Sequence, residues 1–451
     1  MDLDVDIVSF VSDGLGHSSH LVDLGDGTAL VVDPARIPTA QRAEASRRGL
    51  TIAYAADTHT HADYISGSPE LAATGATFVA PAAAGLSHRH QGVSDGAVIE
   101  MGRFRFEAIA TPGHTRDHLA YLLLDDSGPL VLFSGGSLMV GTVGRTDLLG
   151  DEHRVELARD LYSALRDRVL TLPDDLAVYP THGAGSFCSA PGGGDRTTTI
   201  GRERSTNPLL AASTEAEFVD RLLGGLGSFP SYFLELPVLN QRGVPRHDTV
   251  PTLDPVTPQD ILTLVANGAV VVDARKAAAF ATGHLPGSLS IELRPVFASW
   301  LGWLTAVEQS LVFVLDDDQD EADLVRQALT VGHDDLAGRL DGGIDAWVGA
   351  GLPLEATAVI EPDAIDRALL DVRQADEFAA GHVPGASHVE LGVLPTATVA
   401  AGPVATMCGK TERAMTAASV LQRAGHPDVA VVRGGFSEWS ALPGHVPLTG
   451  A

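Results

Sequence analysis

The chain has 451 residues, 45% apolar and 20% charged, which is enough apolar surface for packed cores and excludes the composition of a disordered polymer. At about 100–200 residues per domain, that length divides into two to four domains. With 58 acidic residues against 30 basic ones, the formal net charge of −28 opposes general binding to nucleic acid or anionic membranes, and two cysteines, Cys188 and Cys408, exclude a disulfide framework.

The opening stretch, Met1-Asp-Leu-Asp-Val-Asp6, has neither a basic segment nor a long apolar run. No later run approaches the ~18 apolar residues that span a bilayer, so the expectation is a soluble, cytoplasmic protein. Residues 1–245 read as many strands with few helices. Strands are predicted at 5–10, 19–24, 29–33, 51–55, 103–110, 120–124 and 130–133, and helices at 39–48 and 155–167. The pattern suggests a two-sheet sandwich covered by helices. Residues 238–258, with prolines at 245, 251, 255 and 258, read as a linker.

Beyond the linker the chain repeats itself. Val270-Val-Val-Asp-Ala-Arg275, Phe280 and Gly283-His-Leu-Pro-Gly-Ser288 return as Leu369-Leu-Asp-Val-Arg373, Phe378 and Gly381-His-Val-Pro-Gly-Ala386, at an offset of 98 residues. Gly342-Gly-Ile-Asp-Ala-Trp347 returns as Gly434-Gly-Phe-Ser-Glu-Trp439, at an offset of 92, so the length change falls inside the unit. Short apolar runs alternating with helical stretches predict two doubly wound, largely parallel sheets, at 255–355 and 356–451.

Two constellations carry chemistry. In the first, Thr58-His59-Thr60-His61-Ala62-Asp63-Tyr64, Pro112-Gly113-His114 and Thr181-His182-Gly183 each follow a strand, where loop side chains converge. Histidine and aspartate in this arrangement suit a divalent metal. Cys188 stands six residues after His182 in a loop of small residues and is a candidate thiol relay. In the second, Cys408-Gly-Lys-Thr-Glu-Arg413 lies between an apolar strand and a helical run. Backbone N–H groups at such a helix start, with Lys410 and Arg413, stabilise an anion and are expected to lower the pKa of Cys408.

Residues 1–245 resemble the metallo-β-lactamase superfamily. Phe133-Ser-Gly-Gly-Ser-Leu138, Gly144-Arg145-Thr146-Asp147 and Glu203-Arg-Ser-Thr-Asn-Pro208 are similar to its persulfide dioxygenase branch, relatives of glyoxalase II. The resemblance implies an αββα sandwich and one ferrous iron per chain held by two histidines and one aspartate, with zinc as the alternative metal of a thioester hydrolase. His59 and His114 match two iron ligands. The aspartate position carries Gly136, and the last position of the first motif carries Tyr64, so His61, Asp63 or Asp147 would have to supply a replacement ligand; His182 is the last of the motif's metal-type histidines. Arg145 is read as a substrate-binding residue. Residues 363–448 resemble a rhodanese domain, which implies no cofactor, a Cys408 persulfide as sulfur carrier, and a cradle formed by Gly409, Lys410, Thr411 and Arg413. In the first repeat Leu315 and Asp316-Asp-Asp318 stand in place of that loop, which points to a structural or docking role. The expected partners are small sulfur donors and thiol acceptors such as thiosulfate and glutathione-type persulfides; a homo-oligomer stays open, and a non-catalytic N-terminal scaffold is the remaining alternative.

Overall fold

The computed structural model describes residues 5–188 and 194–450, which divide into two compact units, residues 1–250 with 326–332 and residues 251–325 with 333–451. No helix among the described residues is long and apolar enough to cross a membrane.

In the first unit, six strands form one sheet in chain order from Ile7–Ser12 and His17–Asp23 to Thr77–Pro81 and Gln91–Val93. A second six-stranded sheet places Leu119–Asp125 and Gly128–Gly135 at its centre, with Ala177–Pro180 parallel to the latter. The two-residue period of a strand sends alternate side chains to opposite faces. Leu30 and Val32 therefore enter the layer between the sheets with Phe104, Phe106, Tyr121 and Phe133. Their neighbours Ala29 and Val31 pack outward with Ala45 of the helix Thr39–Arg47 and Leu71 of Ser68–Ala73. On the far side Leu122 and Leu132 meet Leu161 of the helix Arg154–Ala164 and Phe218 of Glu215–Gly224. The expected αββα sandwich is the observed one. The expected linker begins differently: Leu236–Arg242 is a helix, and Asn240 is buried.

In the second unit, each repeat is a five-stranded parallel sheet, and the two sheets share one strand order. The first runs Pro255–Val256, Leu336–Leu340, Leu311–Val314, Val270–Asp273, Leu289–Ser290. The second runs Ala358–Ile360, Val429–Val432, Val404–Met407, Ala368–Asp371, Ser387–His388. Central strands such as Leu311–Val314 are buried along their whole length because helices cover both faces. The length difference has a visible source. The first repeat carries an apolar helix, Phe297–Leu304, where the second has the 3₁₀ segment Leu391–Thr396.

Candidate functional site

The histidine loop starts where the strand Thr51–Ala56 ends, and a buried carboxylate sets its shape. Asp33 follows the strand Thr28–Val32 with φ 51°, a left-handed conformation that aspartate tolerates. It accepts hydrogen bonds from Thr58 N (2.7 Å), Thr58 Oγ1 (2.8 Å), Thr181 Oγ1 and His61 Nε2 (3.1 Å). Burial opposes ionisation of Asp33, but the facing His61 and these donors outweigh it and hold the carboxyl well below the usual range. Asn240 ties the loop down from the other side, donating to the carbonyls of His61 and Tyr64 (both 2.9 Å) and accepting from Ser66 N.

His59, His61, Asp63, His114 and His182 come together as the sequence suggested, all of them buried. Each of three groups could hold a metal ion: His59 with His114 and His182; His61 with Asp63 and His182; and Asp33 with Asp57 and His61. Burial depresses the basicity of His59, strongly, and of His114, to about 3. His182 goes the other way: burial disfavours its charge, but Cys188 and Asp63 beside it raise its pKa well above the ordinary value. Cys188 is itself pushed up by burial, with His182 beside it acting in the opposite direction. His118, four residues past His114, is a further pocket residue that the motif reading missed. Its Nδ1 lies 2.7 Å from Thr111 Oγ1, and its ring stacks on His59 at 4.8 Å.

The iron set implied by the resemblance needs a carboxylate at position 136. Gly136 offers no donor atom, its N–H is engaged with His118 Nε2 (2.9 Å), and a Cβ there would stand 2.3 Å from Cδ2 of His114. The His114 ring fills the volume a side chain there would need, and the two-histidine, one-aspartate set does not fit this chain. Tyr64 is no substitute ligand either, since its hydroxyl is held by His61 Nε2 (3.0 Å).

Arg145 departs from the expected substrate contact. Its guanidinium grips Asp147 through two bonds (2.7 and 2.9 Å), donates to the carbonyls of Phe187 (2.7 Å) and Gly227 (2.9 Å), and lies 4.3 Å over the Phe229 ring. Its donors and Asp147 are therefore committed to each other and to the protein. What Arg145 does for the pocket passes through its backbone: its carbonyl accepts from His114 Nδ1 (2.8 Å), and its N–H donates to Cys188 O (3.0 Å).

In the second unit, Cys408 follows the strand Val404–Met407 and precedes the helix Glu412–Arg423. The N–H groups of Lys410 and Ala414 bond the sulfur, and Arg413 adds positive charge. Burial is nonetheless the largest influence, and the thiol lies above its usual pKa instead of below it. That corrects the sequence expectation. Arg413 is also less free than expected, since Glu377 holds it through two bonds of 2.6 and 2.7 Å. Lys410 is exposed and contributes through its backbone. Thr411 Oγ1 accepts from Gly434 N (3.2 Å), and Gly409 O accepts from Ser437 Oγ (2.7 Å), so the closing Gly-Gly turn braces the loop. A Cβ on Gly435 would stand 2.2 Å from Lys410 O and 2.3 Å from Cys408 O, so only glycine allows this approach.

The first repeat shows the same strand end without the loop. Asp273 pairs with Val314 as Asp371 pairs with Met407, so Leu315 takes the place of Cys408, as the alignment of the repeats implied. The aspartates that follow are exposed.

Residues 12–182 match the metallo-beta-lactamase superfamily, and residues 257–350 and 354–442 each match the rhodanese-like domain. Human "Persulfide dioxygenase ETHE1, mitochondrial" is 32% identical over 205 residues, which are 44% of this chain and 72% of that protein. A hydroxyacylglutathione hydrolase of Polaromonas is 34% identical over 160 residues, 35% of this chain and 57% of the hydrolase. Among solved structures, a metallo-beta-lactamase from Staphylococcus aureus superposes with a TM-score of 0.64 at 27% identity, over 74% of this chain and 98% of its own. The chain belongs to the persulfide dioxygenase branch of the metallo-β-lactamase superfamily and carries two rhodanese-like domains behind that fold.

Proposed function

We propose that this protein is a sulfurtransferase of sulfide and persulfide metabolism, with a Cys408 persulfide as the carrier. The observation that supports this most directly is the loop around Cys408, where the N–H groups of Lys410 and Ala414 meet the sulfur and Arg413 stands behind them. These donors stabilise an anionic sulfur against the burial that opposes its charge. The Cys408 thiolate attacks the outer sulfur of thiosulfate. The S–S bond of the donor breaks, sulfite leaves with the bonding pair, and Cys–S–S⁻ remains in the loop. An acceptor thiolate then attacks the outer sulfur, takes it as a persulfide, and regenerates the Cys408 thiolate. No net oxidant is needed in either step.

In this reading the N-terminal pocket handles the same class of small persulfides, glutathione-type among them, and linkage in one chain raises the effective concentration between the two sites. A reducing, cytoplasmic setting keeps Cys408 available as a thiol between turnovers. The test is thiosulfate:cyanide sulfurtransfer together with the intact mass of the thiosulfate-treated chain. Wild type gains the mass of one sulfur atom and turns over; Cys408→Ser does neither. Transfer retained in Cys408→Ser would remove the assignment.

A further inference from the structure

We infer that His59, His114 and His182 form a site for one four-coordinate divalent cation of the zinc type, with His182 standing in for the missing carboxylate at position 136. This goes beyond the sulfurtransferase reading and does not rest on Cys408.

Proton placement comes first. Thr58 Oγ1 donates its own proton to Asp33 Oδ2, so towards His59 Nδ1 (2.8 Å) it acts as acceptor, and the His59 proton sits on Nδ1. His114 Nδ1 faces the carbonyl of Arg145 at 2.8 Å, and a carbonyl only accepts. Both rings therefore turn a bare Nε2 lone pair into the pocket. His182 Nδ1 faces Asp63 Oδ2 at 3.3 Å, and its Nε2 lies 3.4 Å from His59 Nε2. A hydroxyl and a carbonyl thus back two of the rings, the arrangement by which metal-binding histidines are held in one tautomer and orientation, and the Asp63 carboxylate faces the third without a hydrogen bond of good geometry.

The spacing agrees. Metal–nitrogen bonds of about 2.0–2.1 Å at a tetrahedral angle place ligand nitrogens about 3.3–3.4 Å apart. The separation of His59 and His182 is 3.4 Å, and the donor atoms of all three residues lie within 4.8 Å of one another. A proton shared between His59 and His182 would satisfy that pair and leave His114 facing it; a cation satisfies all three. Three neutral imidazoles bring no charge of their own, but two buried carboxylates stand nearby, Asp63 beside His182 and Asp33 behind the Thr58 hydroxyl that meets His59. Relative to a set containing a carboxylate ligand, the cation keeps more of its charge for whatever anion takes the open fourth position, a thiolate, persulfide or hydroxide.

The experiment uses the full chain stripped of metal with a chelator and reloaded with cobalt(II) or zinc. Cobalt should bind at one equivalent, with the intense visible bands of a four-coordinate ion. X-ray absorption of the zinc form should count three imidazoles. His182→Gln should weaken binding on the order of 100-fold or more, and Asp63→Asn, which removes only the support of His182, about 10-fold. An imidazole count of two, a weakly absorbing six-coordinate cobalt spectrum, unchanged affinity in His182→Gln, or no uptake at all would each overturn the proposal. The first of these would point to the neighbouring group of His61, Asp63 and His182. The imidazole count is read on wild type, so it stands even where a variant fails to fold.

Discussion

The two rhodanese-like repeats share nearly everything except chemistry. Their strands have the same order, and each carries a buried aspartate paired with an arginine two residues on, Asp273 with Arg275 and Asp371 with Arg373, both at 2.6 Å. In each, a histidine stacks on the phenylalanine four residues earlier, at 3.7 Å for Phe280 and His284 and 3.9 Å for Phe378 and His382. They part at the helix Phe297–Leu304, which the second repeat replaces by a 3₁₀ segment, and past the end of the third central strand, at Leu315 against Cys408. The residues that hold the sheet together are thus separable from the loop that reacts. What the first repeat has in place of a reactive loop is contact with the second: Ser290 N donates to Ser419 Oγ (3.0 Å), and Arg423 donates to Gly287 O (2.8 Å).

The comparison breaks most sharply at the cysteine. Cys408→Ser should lower sulfurtransfer by about 10³-fold or more, as loss of a nucleophile does. Leu315→Cys, at the corresponding strand end, should gain no measurable transfer, because that loop presents Asp316, Asp317 and Asp318 in place of a cationic cradle. Transfer by Leu315→Cys in a Cys408→Ser background would show that strand geometry alone suffices.

The shared ion pairs should behave alike, with one difference. Replacing Arg275 or Arg373 by alanine strands a fully buried aspartate, which costs about 3–5 kcal/mol and is read as a lower urea midpoint. Arg373→Ala should cost more of the two, since its guanidinium also lies 4.1 Å over the Phe436 ring, and Ile344 stands at the matching place in the first repeat. Equal losses would show that the aromatic contact adds nothing.

The packing of one repeat on the other gives a smaller effect. A Cβ on Gly392 would stand 1.9 Å from Cε2 of Trp303, a near-buried ring of the helix that the second repeat lacks. Gly392→Ala should destabilise by about 1–3 kcal/mol, and Trp303→Ala should relieve that penalty in the double variant. Strict additivity of the two losses in thermal unfolding would disprove the contact.

What could be read from the sequence follows from how local each feature is. The repeats, the Cys408 loop and the His59, His61, Asp63 motif lie within short spans, so spacing alone exposed them. Asp33 and Asn240 escaped because tertiary structure delivers them: Asn240 bonds Ser66 from 174 residues away, and nothing around Asp33 marks it as the support of the histidine loop. His118 lay in plain view at four residues past His114, but no motif claimed it. Arg145 looked free because a basic residue beside a pocket motif is conspicuous in so acidic a chain, whereas the carbonyls that engage it lie 42 and 82 residues further on. The strands Thr77–Pro81 and Gln91–Val93 were missed because short parallel strands show no alternation of their own.

The mildest prediction concerns the thiol. A helix start and an arginine were expected to lower the pKa of Cys408, yet burial prevails and raises it. A raised pKa means less thiolate at any given pH below it, so alkylation of Cys408 by iodoacetamide should accelerate as pH rises past the value of a free thiol. Glu412, whose charge also raises the thiol, gives the lever. Glu412→Gln should shift the rate profile to lower pH and speed alkylation a few-fold at neutrality, while Lys410→Ala, with an exposed side chain and an unchanged backbone N–H, should shift it less. If Lys410→Ala moved the profile further than Glu412→Gln, the lysine side chain rather than the loop backbone would be the principal stabiliser of the thiolate.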